Sequence, residues 1–202
     1  MEIHSRHYGR KNARALSSDD KDLYAALYPV LQFNGTGDVL EVGFGMGDFI
    51  IHQAMLHPHL QFIGVEPFKT GLIKLLKKIQ QHNIQNIRVY HGVVHDILDT
   101  LPLLSAIYIL YPDPWPKTRH HKRRLIQKEF LLKLRQHLKS EGKIYIASDH
   151  ADYQQWIETV LQDTFDGIYV SHEPFEHWIP TKYERKARQE GRIPQYYSIP
   201  YE

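Results

Sequence analysis

The chain has 202 residues, a formal charge of only +2 and no cysteine. That length suits one domain with a sizeable core, and the missing cysteine excludes disulfides, thiolate zinc sites and a cysteine nucleophile, which fits a reducing, cytoplasmic setting. The small net charge confines any nucleic-acid site to a local patch, and neither a signal peptide nor an apolar run long enough for a bilayer is recognised.

Residues 1–18 read as a polar arm carrying Arg6, Arg10, Lys11 and Arg14, ahead of a domain over 19–202 with no internal boundary. Ser17, Ser18, Asp19 and Asp20 are N-cap types. Leu23, Ala26, Leu27, Val30 and Leu31 then recur at helical spacing. Residues 38–42 predict a short strand that breaks into Gly43-Phe44-Gly45-Met46-Gly47, with a helix over 48–56. A second strand, 61–65, ends at Glu66-Pro67. Residues 68–82 predict an amphipathic helix with Leu72, Leu75, Leu76 and Ile79 on one face. A third strand spans 87–90, with a loop or short helix over 92–98. A fourth spans 106–110. Residues 123–138 predict one long helix whose Leu125, Ile126, Phe130, Leu131, Leu134 and Leu138 face the core. A fifth strand, 143–147, precedes a helix over 151–161, and 168–171 and 196–199 close the sheet as a final pair. This alternation predicts an α/β fold: a single-domain, doubly wound, mostly parallel seven-stranded sheet with helices on both faces.

Two segments carry chemistry. The glycine turn has the spacing G-x-G-x-G, which argues against a dinucleotide fingerprint. Glu41, just before it, would repel a pyrophosphate and suits a cationic ligand. Glu66, at the end of the second strand, is placed to accept from ribose hydroxyls. A tight strand-to-helix turn is the alternative for the glycines alone. The second segment, 111–125, reads YPDPWPKTRHHKRRL. It sets Asp113 between two prolines, with Trp115 beside it and a basic run behind. The prolines pre-shape the loop, and the basic run is what phosphates attract. A carboxylate inside such a footprint is unfavourable for plain binding, so it points to work on a base. His57-Pro58-His59 and His120-His121 read as surface and loop histidines, not metal ligands.

These residues, in order, resemble a family. The glycine turn with Glu66 resembles the class I S-adenosylmethionine-dependent methyltransferases. Pro112-Asp113-Pro114-Trp115-Pro116-Lys117, followed by Arg119 to Arg124, is similar to the signature of the tRNA (guanine-N7-)-methyltransferase family. Thr181-Lys182-Tyr183-Glu184, with Gly191 beyond, resembles that family's second signature, and Tyr8-Gly9-Arg10-Lys11 with Arg14 its basic leader. The charged stretch 185–190 before Gly191, and Pro116, depart from the pattern. The resemblance implies a Rossmann-like fold, S-adenosyl-L-methionine as cofactor, and tRNA as substrate, methylated at N7 of a guanine in the variable loop. It leaves monomer or homodimer undetermined. It also implies that Glu41, Gly43, Gly45, Gly47, Glu66, Asp96 and Asp113 line the cofactor, with Asp113 catalytic. Lys117, Asp149, Thr181, Lys182, Tyr183 and Glu184 would contact substrate. Arg119, His120, His121, Lys122, Arg123 and Arg124 would engage RNA. Asp96 and Asp149 read alternatively as helix caps, and Thr181 with Glu184 as a capping box.

Guanine N7 carries a lone pair and no proton, so methylation asks mainly for in-line placement. Positive charge passes to the purine, and a fixed carboxylate stabilises it most in the transition state. N7 and O6 are both acceptors. Asp113 is therefore expected at the N1 and N2 donor edge, where it would also select guanine over adenine, with Trp115 stacking or walling a base turned out of the fold. Two alternatives belong to other classes. An NAD-dependent oxidoreductase would use the glycine turn and Glu66 but leaves the basic run unexplained. A non-catalytic RNA-binding module explains the basic run but not Glu66 and Asp113.

Overall fold

The computed structural model describes residues 15–201, so Arg6, Arg10, Lys11 and Arg14 of the expected arm lie outside the described residues. The chain forms two compact units, one up to Pro102 and one from Leu103, whose strands make a seven-stranded sheet.

In the first unit, helix α1 (Ser18–Leu31) opens at Ser17, whose hydroxyl accepts from the Asp20 amide. Of the expected stripe, Leu31 is buried and Leu23 and Leu27 half-buried, but Ala26 and Val30 are not part of it. Val30 is 73% exposed and Ala26 is exposed. Tyr24 and Tyr28 lie half-buried instead, stacked at 4.9 Å with His91 edge-on to both. One helical turn apart, the two rings bury far more apolar area than Ala and Val would. Strands β1 (Val39–Val42), β2 (Phe62–Val65) and β3 (Ile87–Tyr90) are parallel in the order β3-β2-β1. Every residue of β1 and β2 is buried, as a parallel sheet covered on both faces requires. Helices α2 (Asp48–Leu56) and α3 (Lys69–His82) make the crossovers. Leu72, Leu75, Leu76 and Ile79 form the buried face of α3, as the periodicity predicts. Two 3-10 turns, Val94–Asp96 and Leu98–Thr100, follow β3.

The second unit holds β4 (Leu104–Leu110), β5 (Leu138–Ser148), β6 (Tyr169–Ser171) and β7 (Gln195–Pro200), in the order β4-β5-β7-β6. The first pair is parallel and the other two antiparallel. The helices are α4 (Lys128–Arg135), α5 (Ala151–Gln162) and α6 (Lys182–Gln189). The long helix expected over 123–138 does not form. A 3-10 turn covers Thr118–Arg123, Arg124 and Gln127 are extended, and α4 begins at Lys128. Leu138 starts β5, opposite Leu104. The cause is tertiary: the Ile126 amide donates to the Tyr153 hydroxyl, and its carbonyl accepts from Trp156 Nε1. The backbone groups that a helix would use are bonded to α5 side chains instead. Strand β5 therefore reaches further back than expected, through an irregular stretch in which Glu141 has φ 66°.

Candidate active site

In the first unit, β1 feeds the glycine turn, and Gly43, Gly45 and Gly47 take φ of 73°, 56° and 72°. Glu66 holds this turn. Its Oε2 accepts from the Gly45 amide at 2.8 Å and its Oε1 from the Phe68 amide at 2.9 Å, so one carboxylate ties the ends of two strands together. Gly71 on α3 lets the turn approach: a Cβ there would lie 2.4 Å from the Gly45 carbonyl oxygen. Lys78, two turns along α3, donates to the Met46 carbonyl at 2.7 Å and pairs with Asp48. Sequence reasoning missed both. Gly71 reads as a flaw in an amphipathic helix and Lys78 as its solvent face, and only the packing of α3 on the turn gives them roles.

Glu41 is 4% exposed, and its Oε2 has no hydrogen-bond partner among the described residues. Burial first, then the charges of Glu66 and Asp48, push its pKa up to about 8. A buried carboxyl left this way is costly unless something answers it, and a cation is the group this cluster of carboxylates suits. Asp96 is exposed and accepts from the Tyr90 hydroxyl at 3.4 Å. Its side chain caps no helix, because the following 3-10 turn has no side-chain cap.

In the second unit, the Tyr111 amide donates to the Ala147 carbonyl and extends the β4–β5 pairing by one bond before the chain turns away. Tyr111 and Trp115 both have positive φ, 54° and 44°, an uncommon state for bulky residues that persists only where the surroundings enforce it. Asp113 lies exposed between them. Trp115 is half-buried, edge-on to His120 at 5.7 Å with the Arg123 guanidinium 5.0 Å from its ring centroid. Its ring serves to seat the basic turn, a role beside the base-stacking one expected.

The basic run divides. Lys117, Arg119 and Lys122 are exposed, and His120 and Arg123 half-buried. His121 turns inward, its ring 5.8 Å from Trp156 and its Nε2 3.8 Å from Asp152. Arg124 is 3% exposed, and this corrects its expected place on RNA. Its guanidinium pairs with Asp152, donates through Nε to the Pro114 carbonyl at 2.9 Å, and lies against the Tyr153 and Trp156 rings.

Asp149 does not cap α5, whose N-cap is His150 without a side-chain bond; it pairs with Arg192 at 2.8 Å. Thr181 does cap α6, accepting from the Glu184 amide at 3.1 Å. The reciprocal half of a capping box is absent because Glu184 is committed elsewhere. At 1% exposed, its carboxylate accepts from Trp178 Nε1 at 2.7 Å, Arg188 Nε at 2.8 Å and the Tyr196 hydroxyl at 3.0 Å. The Tyr111 hydroxyl sits beside this network; burial above all, then Tyr196 and Glu184, push its pKa up. Lys182 and Tyr183 are exposed. Nothing in the spacing signals Arg192 or Asp152 as partners. Among the described residues, no three His, Asp or Glu side chains gather as a metal site.

Residues 36–195 match a family model described as "Putative methyltransferase". A protein of Ruegeria sp. (strain TM1040) named tRNA (guanine-N(7)-)-methyltransferase is 42% identical over 172 residues, covering 82% of this chain and 68% of that protein. One of the same name from Zymomonas mobilis subsp. mobilis is 33% identical over 211 residues, covering 94% and 91%. A solved structure described as an antibiotic related methyltransferase aligns over 94% of this chain and 96% of its own, with a TM-score of 0.57 at 17% identity. That likeness is one of fold: a Rossmann-like α/β sheet.

Proposed function

The chain belongs to the tRNA (guanine-N(7)-)-methyltransferase family, and we propose on that premise that it transfers a methyl group from S-adenosylmethionine to N7 of a guanine in tRNA. The observation that carries the reading is the buried Glu41 oxygen without a partner, beside a glycine turn that Glu66 holds in place. A cofactor that carries a sulfonium and an ammonium fits such a set of carboxylates; a pyrophosphate does not. When bound, S-adenosylmethionine supplies an electrophilic methyl on sulfonium. Glu41, the 43–47 turn, Glu66 and Asp96 would hold it. Asp113 would accept from the guanine donor edge and stabilise the cation that develops on the purine, in a loop whose shape does not have to form during the reaction. Lys117, Asp149 and the 181–184 segment would position the base, with Glu184 acting from behind through α6. The exposed Arg119 and Lys122 would meet phosphates. Such an enzyme would work in the cytoplasm, and among the described residues no helix is long and apolar enough to cross a membrane.

Nucleoside analysis of unmodified tRNA incubated with the protein and S-adenosylmethionine tests the proposal. The expected product is 7-methylguanosine. Intact tRNA binding without any methylated nucleoside would leave a binding module, and tighter binding of NAD than of S-adenosylmethionine would leave an oxidoreductase.

A further inference from the structure

We propose that Arg124 is a positioning residue for the Asp113 loop and makes no contact with RNA, an inference that rests on the methyl-transfer reading above. Prolines at 112, 114 and 116 leave that segment with amides only at Asp113 and Trp115. Three of its five backbone donors are gone, so a ladder of backbone bonds cannot hold it. What fixes it must come from side chains. Arg124 Nε donates to the Pro114 carbonyl at 2.9 Å, one residue past Asp113 and one before the positive φ of Trp115.

The arginine is itself anchored on four sides. Its side chain is 1% exposed, against 51% for its ion-pair partner Asp152. The rings of Tyr153 and Trp156 lie 5.0 and 5.2 Å from its guanidinium carbon. Gln127 Nε2 donates to its carbonyl. Asp152, Tyr153 and Trp156 all project from the first turns of α5, which starts where β5 ends. A rigid helix thus reaches through one buried fork to the loop that carries Asp113. Lysine would keep the charge but offers no planar fork to satisfy a carboxylate and a carbonyl at once.

The experiment compares Arg124→Lys with wild type in single-turnover methylation of unmodified tRNA at saturating tRNA and S-adenosylmethionine, and in tRNA binding across a salt series. The rate is expected to fall on the order of 10- to 100-fold, as for a small misplacement of reacting groups, while the affinity for tRNA and the slope of log affinity against log salt stay at wild-type values. Asp152→Asn removes the half-exposed charge that anchors Arg124 while leaving Arg124 itself in place, and is expected to slow the same step with the same unchanged slope. A wild-type rate in both variants overturns the proposal. So does a slope lowered by about one unit in Arg124→Lys, the mark of a lost phosphate contact. Failure of wild type itself to methylate tRNA would strike the proposed function instead, and is read separately.

Discussion

Under the proposed function, Glu41 should couple its protonation to cofactor binding. Its folded pKa of about 8 stands above the ordinary 4.5, so between those values the folded chain holds a proton that the unfolded chain releases. Its contribution to stability is complete below about pH 4.5 and is lost as pH rises through about 8. Glu41→Gln should therefore flatten the stability profile across that window, as read by urea denaturation at several pH values; a slope as steep as wild type would assign the effect elsewhere. A bound cation favours the ionised form, so uptake of S-adenosylmethionine near pH 7 should release a proton. Calorimetry in two buffers of different ionisation enthalpy should give different apparent enthalpies for wild type and equal ones for Glu41→Gln. Asp113 is tested through charge alone. Asp113→Asn keeps the turn-forming side chain and should raise the barrier to methyl transfer by about 2–4 kcal/mol, with tRNA affinity little changed. A wild-type single-turnover rate would leave Asp113 a turn residue only.

At the scale of elements, local patterns were legible where the chain's partners are near in sequence. The helix over 48–56 and the strand over 87–90 have the predicted bounds: a glycine turn announces the helix, and Ile87 and Val89 are the buried residues of the strand. The 123–138 segment failed for the opposite reason. Its leucines and phenylalanine keep a helical period, yet Tyr153 and Trp156, some thirty residues away, claim the backbone of Ile126. The capping-box spacing of Thr181 and Glu184 marks the start of α6, but the rest of the helix reads as a charged stretch, since Ala187 and Glu184 are its buried residues. The same division runs through the candidate site. The glycine turn, Glu66 and Asp113 stand out by position, whereas Gly71, Lys78, Asp152 and Arg192 act across the fold. Splitting the helix also changes the argument for RNA. The basic run lies ahead of α4, in a 3-10 turn, and exposure becomes the criterion. Neutralising Arg119 and Lys122 together should lower the salt slope of tRNA binding by about 1–2 units; an unchanged slope would make them merely solvated.

For the whole molecule, the balance of charge decides how tRNA is attracted. Residues 1–14 carry Arg6, Arg10, Lys11 and Arg14 against Glu2, three net positive charges, so the rest of the chain is formally −1 where the whole is +2. A body of that charge gives a polyanion no general pull, and attraction must come from the arm and the exposed turn. Among the described residues, the first helix is tied down on its own. Ser17 caps α1, and Asp20 pairs with Lys77 on α3 at 2.5 Å. Deleting residues 1–14 should therefore leave the thermal midpoint and S-adenosylmethionine affinity unchanged. It should lower the salt slope by about 3, one near-unit step for each phosphate lost, and weaken binding most at low salt, where screening is least. If the arm and the turn engage one tRNA, the slope change of the deletion and that of the Arg119 and Lys122 double variant should add when combined. A deletion whose slope matches wild type would remove the arm from the interface. A combined variant no worse than either parent would mean that the two patches do not hold the same tRNA at the same time.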